Sequence, residues 1–418
     1  MVRANFIGGS IVIPDELFEN VSTLCLTNII DFKHTGFNKS FGTKAIREFK
    51  YMTKWNLIPL GKLTLSEPEY GANESAIDGD PKKNYRYIRI TDINDAGYLN
   101  GDWKTAEHID KKYILSEGDI LFARSGATAG KTFYYKRSYG KAIFAGYLIK
   151  FVFDSNKVLP KYIINILDTK TYQEWVEYNR GGSSQPNLNA KQFASFEIPL
   201  PDMETQKMLV DECSIIGLRY IKCFDEIASC RKQLERIVNE SLDKATTSLR
   251  LDDERIFNLS IGRRVLKSEL KKDGAYEVFS ANVFEPFGKT DTSLLTDFST
   301  PSVLWGIDGD WMVNYLQADR PFHPTDHCGV IKVLDENVIL PKYLVYPLLK
   351  AGEHERFSRA NRASTERIKA LTIRIPSIDI QKDTVSKVIE IENEINTLKQ
   401  NMKECKYQKQ VILDKYLK

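Results

Sequence analysis

A repeat of long period constrains the fold of this 418-residue chain more than any other feature. FVFDSNKVLPKYIINIL at 151–167 matches KVLDENVILPKYLVYPLL at 332–349, and LPKY is identical at Leu159–Tyr162 and Leu340–Tyr343. Downstream, FEIPLPDMETQKMLV (196–210) matches LTIRIPSIDIQKDTV (371–385), with Pro201/Pro376, Gln206/Gln381 and Lys207/Lys382 in register. Upstream, GDILFARSG (118–126) aligns more loosely with PSVLWGIDG (301–309). Three blocks in one order at similar spacing mean that a whole unit was duplicated. A period of about 180 residues is far beyond that of a solenoid, so two domains of one type are expected.

Each copy ends in a helical pattern. Cys213, Ile216, Tyr220, Cys223, Ile227, Cys230, Leu234, Ile237 and Ser241 follow one another in steps of three and four. Val388, Ile391, Ile395, Leu398, Met402, Cys405, Lys409, Ile412 and Tyr416 repeat the same heptad register. Such a seam, mostly apolar at its a and d sites with charges between, predicts helices of roughly 40 residues, about 60 Å long. A narrow stripe of that length seeks another helix, and the expected partner of each is the other. That pairing would then hold two globular domains at a fixed separation. The cysteines lack regular spacing, and those within the seam read as small buried apolar residues rather than a disulfide framework.

Between the helices the pattern is mixed. YRYIRITDI, GDILFA, YLIKFVF, SVLWGI and GVIKVL read as short strands, while long polar loops such as LSEPEYGANESAIDGDPKKN carry no pattern of their own. The expected class is α+β, with mixed α/β domains at 55–200 and 248–375, long helices at 201–247 and 376–418, and an N-terminal extension at 1–54 to which no role is assigned. No apolar stretch approaches the ~18 residues of a membrane span. Acidic residues and a proline interrupt MVRANFIGGSIVIPDELFEN, which makes a poor signal peptide, so a cytoplasmic location is expected. The net charge of +3, from 59 basic and 56 acidic residues, neither announces a nucleic-acid binder nor excludes one.

GDILFARSGATAGKT (118–132) invites a nucleotide-hydrolase reading through the 126–132 loop. A phosphate-binding loop places four residues between its first glycine and Gly-Lys, and opens a helix. Here three residues separate Gly126 from Gly130, and KTFYYKRSYGKAIFAGY, which follows, has strand character. His323, Asp326, His327 and Cys328 offer metal donors, but without zinc-finger or HExxH spacing they read as a polar loop. No catalytic residue, resident metal or resident cofactor is assigned.

The loops do suit nucleic acid. Arg124, Ser125, Gly126 and Lys131 lie near Lys136, Arg137 and Lys141 and among Phe133, Tyr134, Tyr135 and Tyr139. Arg180 with Ser184, Gln185 and Asn187 adds a second loop, and the second copy offers Trp311, Asn314, Arg320, Arg359, Asn361 and Arg362. Arginine and lysine neutralise phosphates, and small residues let the backbone approach closely. Glutamine and asparagine pair with adenine, arginine with guanine.

GDILFARSGATAGKT, GGSSQPNLN followed by FEIPLPDMETQK, and SANVFEPFGK with WGIDGDWMVN and PTDHCGVIKV together resemble the specificity subunit of type I restriction-modification systems. The resemblance spans about residues 55–418, and WNLIPLGKL (55–63) is similar to the opening of a first recognition domain. It implies a non-catalytic subunit in which each recognition domain reads half of a bipartite double-stranded DNA target, with the two helices forming an antiparallel coiled coil as a ruler. Methyltransferase subunits carrying S-adenosylmethionine would dock on it and methylate adenines, and a motor-nuclease subunit would complete the restriction complex. A specificity subunit of another multisubunit restriction-modification system is the neighbouring alternative, and a nucleotide hydrolase the one from a different class.

Overall fold

The computed structural model describes residues 51–94, 97–99, 103–180 and 186–418, together with 30–31, 36–37 and 49. Contacts divide the chain into two units, Met1–Leu218 with Cys405–Lys418, and Arg219–Glu404.

The first unit is built on a four-stranded antiparallel sheet of β1 (Glu69–Tyr70), β2 (Ile120–Ala123), β3 (Thr132–Tyr134) and β4 (Leu148–Phe151), in the order β1-β4-β2-β3. Alternate residues of its two inner strands enter different cores. Ile120, Phe122, Ile149 and Phe151 face a cluster with Tyr162, Trp175 and Phe193, whereas Leu121, Ala123 and Leu148 join Ile88, Phe133 and Phe144. Burial on both faces explains why ILFA reads as an unbroken apolar run. Lys150 interrupts LIKF, but its ammonium pairs with Glu69 at 3.0 Å.

The second unit repeats this plan with β5 (Phe257–Ile261), β6 (Ser302–Gly306), β7 (Val313–Leu316) and β8 (Cys328–Val333), ordered β5-β8-β6-β7. Val303, Trp305, Ile331 and Val333 enter one core, and Leu304, Leu316, Cys328 and Val330 the other. Each unit also has a parallel pair beside its sheet, Arg86–Ile88 with Ala142–Phe144 and Tyr276–Phe279 with Phe322–Pro324. An antiparallel pair closes each one, Leu57–Pro59 with Glu197–Pro199 and Thr247–Arg250 with Thr372–Ile375. The duplication seen in three sequence blocks therefore extends to the strand order.

The described helices are α1 (Pro160–Ile166), α2 (Lys170–Arg180), α3 (Ala190–Ser195), α4 (Met203–Asp243), α5 (Pro341–His354), α6 (Thr365–Ala370) and α7 (Ile378–Leu417). LPKY opens α1 and α5 alike, with leucine at the N-cap and proline, which has no N–H to leave unpaired, in the first turn. The repeated glutamines explain the rest of the motif. Gln206 and Gln381 have no exposed surface. Gln206 Oε1 accepts from Leu159 N (2.9 Å), while its Nε2 donates to Lys157 O (3.3 Å) and Pro201 O (2.9 Å). Gln381 makes the same three bonds, to Leu340 N, Val338 O and Pro376 O, each at 3.0 Å. One amide thus ties the LPKY turn to the start of the long helix in each unit.

The long helices α4 and α7 run 41 and 40 residues. In the second unit Cys223, Ile227, Cys230, Ile391, Ile395 and Leu398 form a buried cluster, with Leu234, Ile237 and Met402 against it. Val388 is buried there too. In the first unit Cys213, Leu413, Tyr416 and Leu417 join the main core, Ile412 packs on it, and Ile216 is half-buried. Tyr220, in the second unit, is half-buried as well.

Two expectations change. Phe49 and Tyr51, placed in the extension 1–54, pack against the core of the first unit, where the Tyr51 hydroxyl lies 2.7 Å from Thr169 Oγ1. The remainder of that extension lies outside the described residues, apart from 30–31, 36–37 and 52–54. The histidine-rich stretch is not a polar loop throughout. His323 pairs within a strand against Val278 and has no exposed surface, and Cys328 begins β8, equally buried. Only Asp326 and His327 occupy the turn between them.

Candidate nucleic-acid interface

In the first unit β2 delivers the chain into a short 3-10 turn, Gly126–Thr128, and β3 takes it back. Gly126 and Gly130 have φ of 69° and 88°, the left-handed region that glycine reaches without strain. Gly130 is also confined, because a Cβ there would lie 2.3 Å from Val176 Cγ1 of α2. Four of the loop's amides are already engaged: Gly126 N donates to Pro186 O, Ala129 N to Gly126 O, Gly130 N to Ala123 O and Lys131 N to Thr128 O. A phosphate cradle needs such donors aimed at the ligand. This loop commits four of them to its own carbonyls and to Pro186, which argues against a nucleotide-binding reading.

Side chains fix the same loop. Arg180 Nε donates to Ala129 O (3.0 Å) and its Nη2 to Ala127 O (2.8 Å), while the Tyr172 hydroxyl donates to Gly130 O (2.9 Å). Arg180 therefore braces loop carbonyls from behind. Lys131 Nζ reaches Ile93 O at 3.3 Å. Arg124 lies with its guanidinium 4.9 Å over the Tyr70 ring, and its Nε donates to Asn187 Oδ1 (3.2 Å). Ser125 bridges Asn187 through the backbone. Ser184 and Gln185 lie outside the described residues. Tyr70 and Tyr147, which are 41% and 63% exposed, adjoin Arg124, the second through its carbonyl, which accepts from Arg124 N at 3.0 Å. Neither tyrosine was singled out from the sequence, because Tyr70 lies in a patternless polar loop and Tyr147 opens a strand pattern, both distant from Arg124 in the chain.

The second unit places its residues differently. Gly309 again has positive φ, 86°. Asp308, just before it, accepts from Arg362 Nη2 at 3.0 Å and from His327 Nδ1. Trp311 turns inward, its Nε1 donating to Leu349 O (2.9 Å) and its ring lying over Gly352 and against Phe357. Asn314 Nδ2 donates to Val283 O (2.7 Å), and Arg320 Nε donates to Glu277 (2.8 Å). Asn361 Nδ2 holds Glu355 O at 2.9 Å. Arg359 is exposed. Burial pushes the Cys328 thiol up to about 12 and the His323 imidazole down from its ordinary value. A thiol so disfavoured as thiolate is a poor metal donor, and among the described residues no group of three or more His, Cys, Asp or Glu is placed to hold a metal ion. Among those residues, no helix is long and apolar enough to cross a membrane.

The family model of the type I restriction modification DNA specificity domain matches residues 72–214 and 249–404. The type I restriction enzyme MjaVIII specificity subunit of Methanocaldococcus jannaschii is 20% identical over 242 residues, 54% of this chain and 54% of that protein. The chain thus spans about half the length of this curated relative. The crystal structure of the S subunit of a type I restriction-modification system from M. genitalium is similar with a TM-score of 0.51 at 13% identity, covering 89% of this chain and 98% of that one. At that identity the likeness is one of fold.

Proposed function

The chain belongs to the type I restriction modification DNA specificity domain family, and from that premise we propose that it is a non-catalytic subunit reading a bipartite double-stranded DNA sequence. Each recognition domain, 55–200 and 248–375, takes one half-site. The observation that carries this reading is the matched frame: in both units a sheet of the same strand order delivers a loop with a positive-φ glycine, at Gly126 and at Gly309. Arg124, Ser125, Gly126, Lys131 and Asn187 serve the first half-site and Asp308, Arg359 and Arg362 the second. Arg180, Trp311, Asn314, Arg320 and Asn361 hold the loops that carry them.

The helices at 201–247 and 376–418 act as a spacer by pairing as an antiparallel coiled coil. In its favour, Ser241 lies 3.0 Å from Thr384 while Cys230 lies beside Glu394, so that positions fall along one helix as they rise along the other. In the first unit Lys415 meets Glu212 at 2.7 Å, in the same sense. Methyltransferase subunits carrying S-adenosylmethionine dock on this subunit and methylate adenines, and a motor-nuclease subunit adds restriction, all in the cytoplasm. Purified with its methyltransferase partner, the chain should direct methyl transfer to one split sequence. Uniform methylation, or none from an intact complex, would refute the proposal.

A further inference from the structure

Each loop begins with an equivalent backbone bond to the segment that leads into the next short helix. Leu188 N donates to Arg124 O (2.8 Å) and Ala363 N to Ile307 O (3.0 Å), and the residues that follow, Asn189 and Ser364, cap α3 and α6. This register makes Ser125 equivalent to Asp308 and Asn187 equivalent to Arg362. The chemistry at those positions is exchanged. In the first unit the arginine comes from the outgoing strand, and its Nε donates to Asn187 of the returning segment at 3.2 Å. In the second it comes from the returning segment and is held through Nε and Nη2 by Asp308 of the outgoing strand. Both arrangements fix a single arginine by an acceptor on one edge of its guanidinium. The other edge is left to form a planar fork, the geometry that matches guanine O6 and N7.

We infer that Arg124 and Arg362 are the guanine-reading side chains of the two half-sites, oriented by Asn187 and Asp308 respectively. The inference rests on the DNA-reading function proposed above. Tyr70, 4.9 Å beneath the Arg124 guanidinium, adds a stacking surface that keeps the fork in plane.

The test maps methylated sequences produced by the complex with its methyltransferase partner, for the wild type and for Arg124→Lys, Arg362→Lys and Asn187→Ala. Lysine keeps the charge and loses the fork, and Asn187→Ala leaves Arg124 in place without its orienting acceptor. The wild-type sequence should contain a G·C pair in each half. Arg124→Lys should lower discrimination at one such pair roughly 5- to 150-fold, the ~1–3 kcal/mol of a bidentate base contact, and leave the other half-site unchanged. Arg362→Lys should do the reverse, and Asn187→Ala should relax the same pair as Arg124→Lys. A half-site without a G·C pair overturns the inference. So does a lysine variant that weakens methylation equally at matched and mismatched sequences, or alters both halves. A wild-type complex that methylates no two-part sequence refutes the underlying function instead.

Discussion

Gln381→Leu isolates the contact that joins each LPKY turn to its long helix. The native side chain has no exposed surface and makes three hydrogen bonds of 3.0 Å, accepting one from Leu340 N and donating to Val338 O and Pro376 O. Leucine has similar volume, so packing changes little and the polar partners are abandoned. The orphaned Leu340 donor costs ~1–3 kcal/mol and each of the two other lost bonds ~0.5–1.5 kcal/mol, which sums to about 2–6 kcal/mol. Domains are typically stable by only about 5–15 kcal/mol, so the effect should be plain in chemical denaturation. Hydrogen exchange localises it: the Leu340 amide should lose protection before the β8 amides do. Gln381→Glu sharpens the argument, since a carboxylate can accept from Leu340 N but repels the two carbonyls. Its folded pKa should therefore rise. Stability should be greatest below the unfolded carboxyl value of about 4.3 and fall as pH rises through the folded one. A leucine variant within about 0.5 kcal/mol of wild type, with the Leu340 amide still protected, would refute the reasoning.

Gly130→Ala should destabilise the chain by about 2–4 kcal/mol, combining a φ of 88° with a Cβ 2.3 Å from Val176 Cγ1. Thermal unfolding with Val176→Ala added should recover only the steric share. Lys141→Ala, at an exposed lysine near the Tyr85 ring, should lower the salt slope of DNA binding by about 1 without changing the sequence read. Bonds from Lys415 and Tyr416 hold the Glu212 carboxyl below its usual range. Its contribution should be complete above the unfolded value and vanish as pH falls through the folded one. Acid titration of Glu212→Gln should lack that step.

The duplication was readable because it left identical residues at places where the backbone has few options: a proline that opens a helix and a buried glutamine that satisfies three backbone groups. The two long helices were readable too, since their apolar period runs over many turns. Loop side chains carry no such signal. Arg124 and Arg180 look alike in sequence, yet one lies over Tyr70 beside Asn187 and the other braces Ala127 and Ala129 from behind. Trp311 read as a DNA-binding side chain, but Gly352 leaves room for its ring inside the unit. His323 read as part of a polar loop because PFHPTDHCGV is polar, whereas parallel pairing with Val278 draws it into a strand. Direction in a loop is set by partners distant in sequence, and local pattern cannot encode it.

The most direct test of the account is to sequence the methylated adenines of host DNA with and without this gene. Two reading units of one frame on a spacer predict methylation that depends on the gene and falls in a single motif, two specified blocks separated by an unspecified run of fixed length. Gene-dependent methylation in one uninterrupted motif, or no difference between the strains, would contradict it.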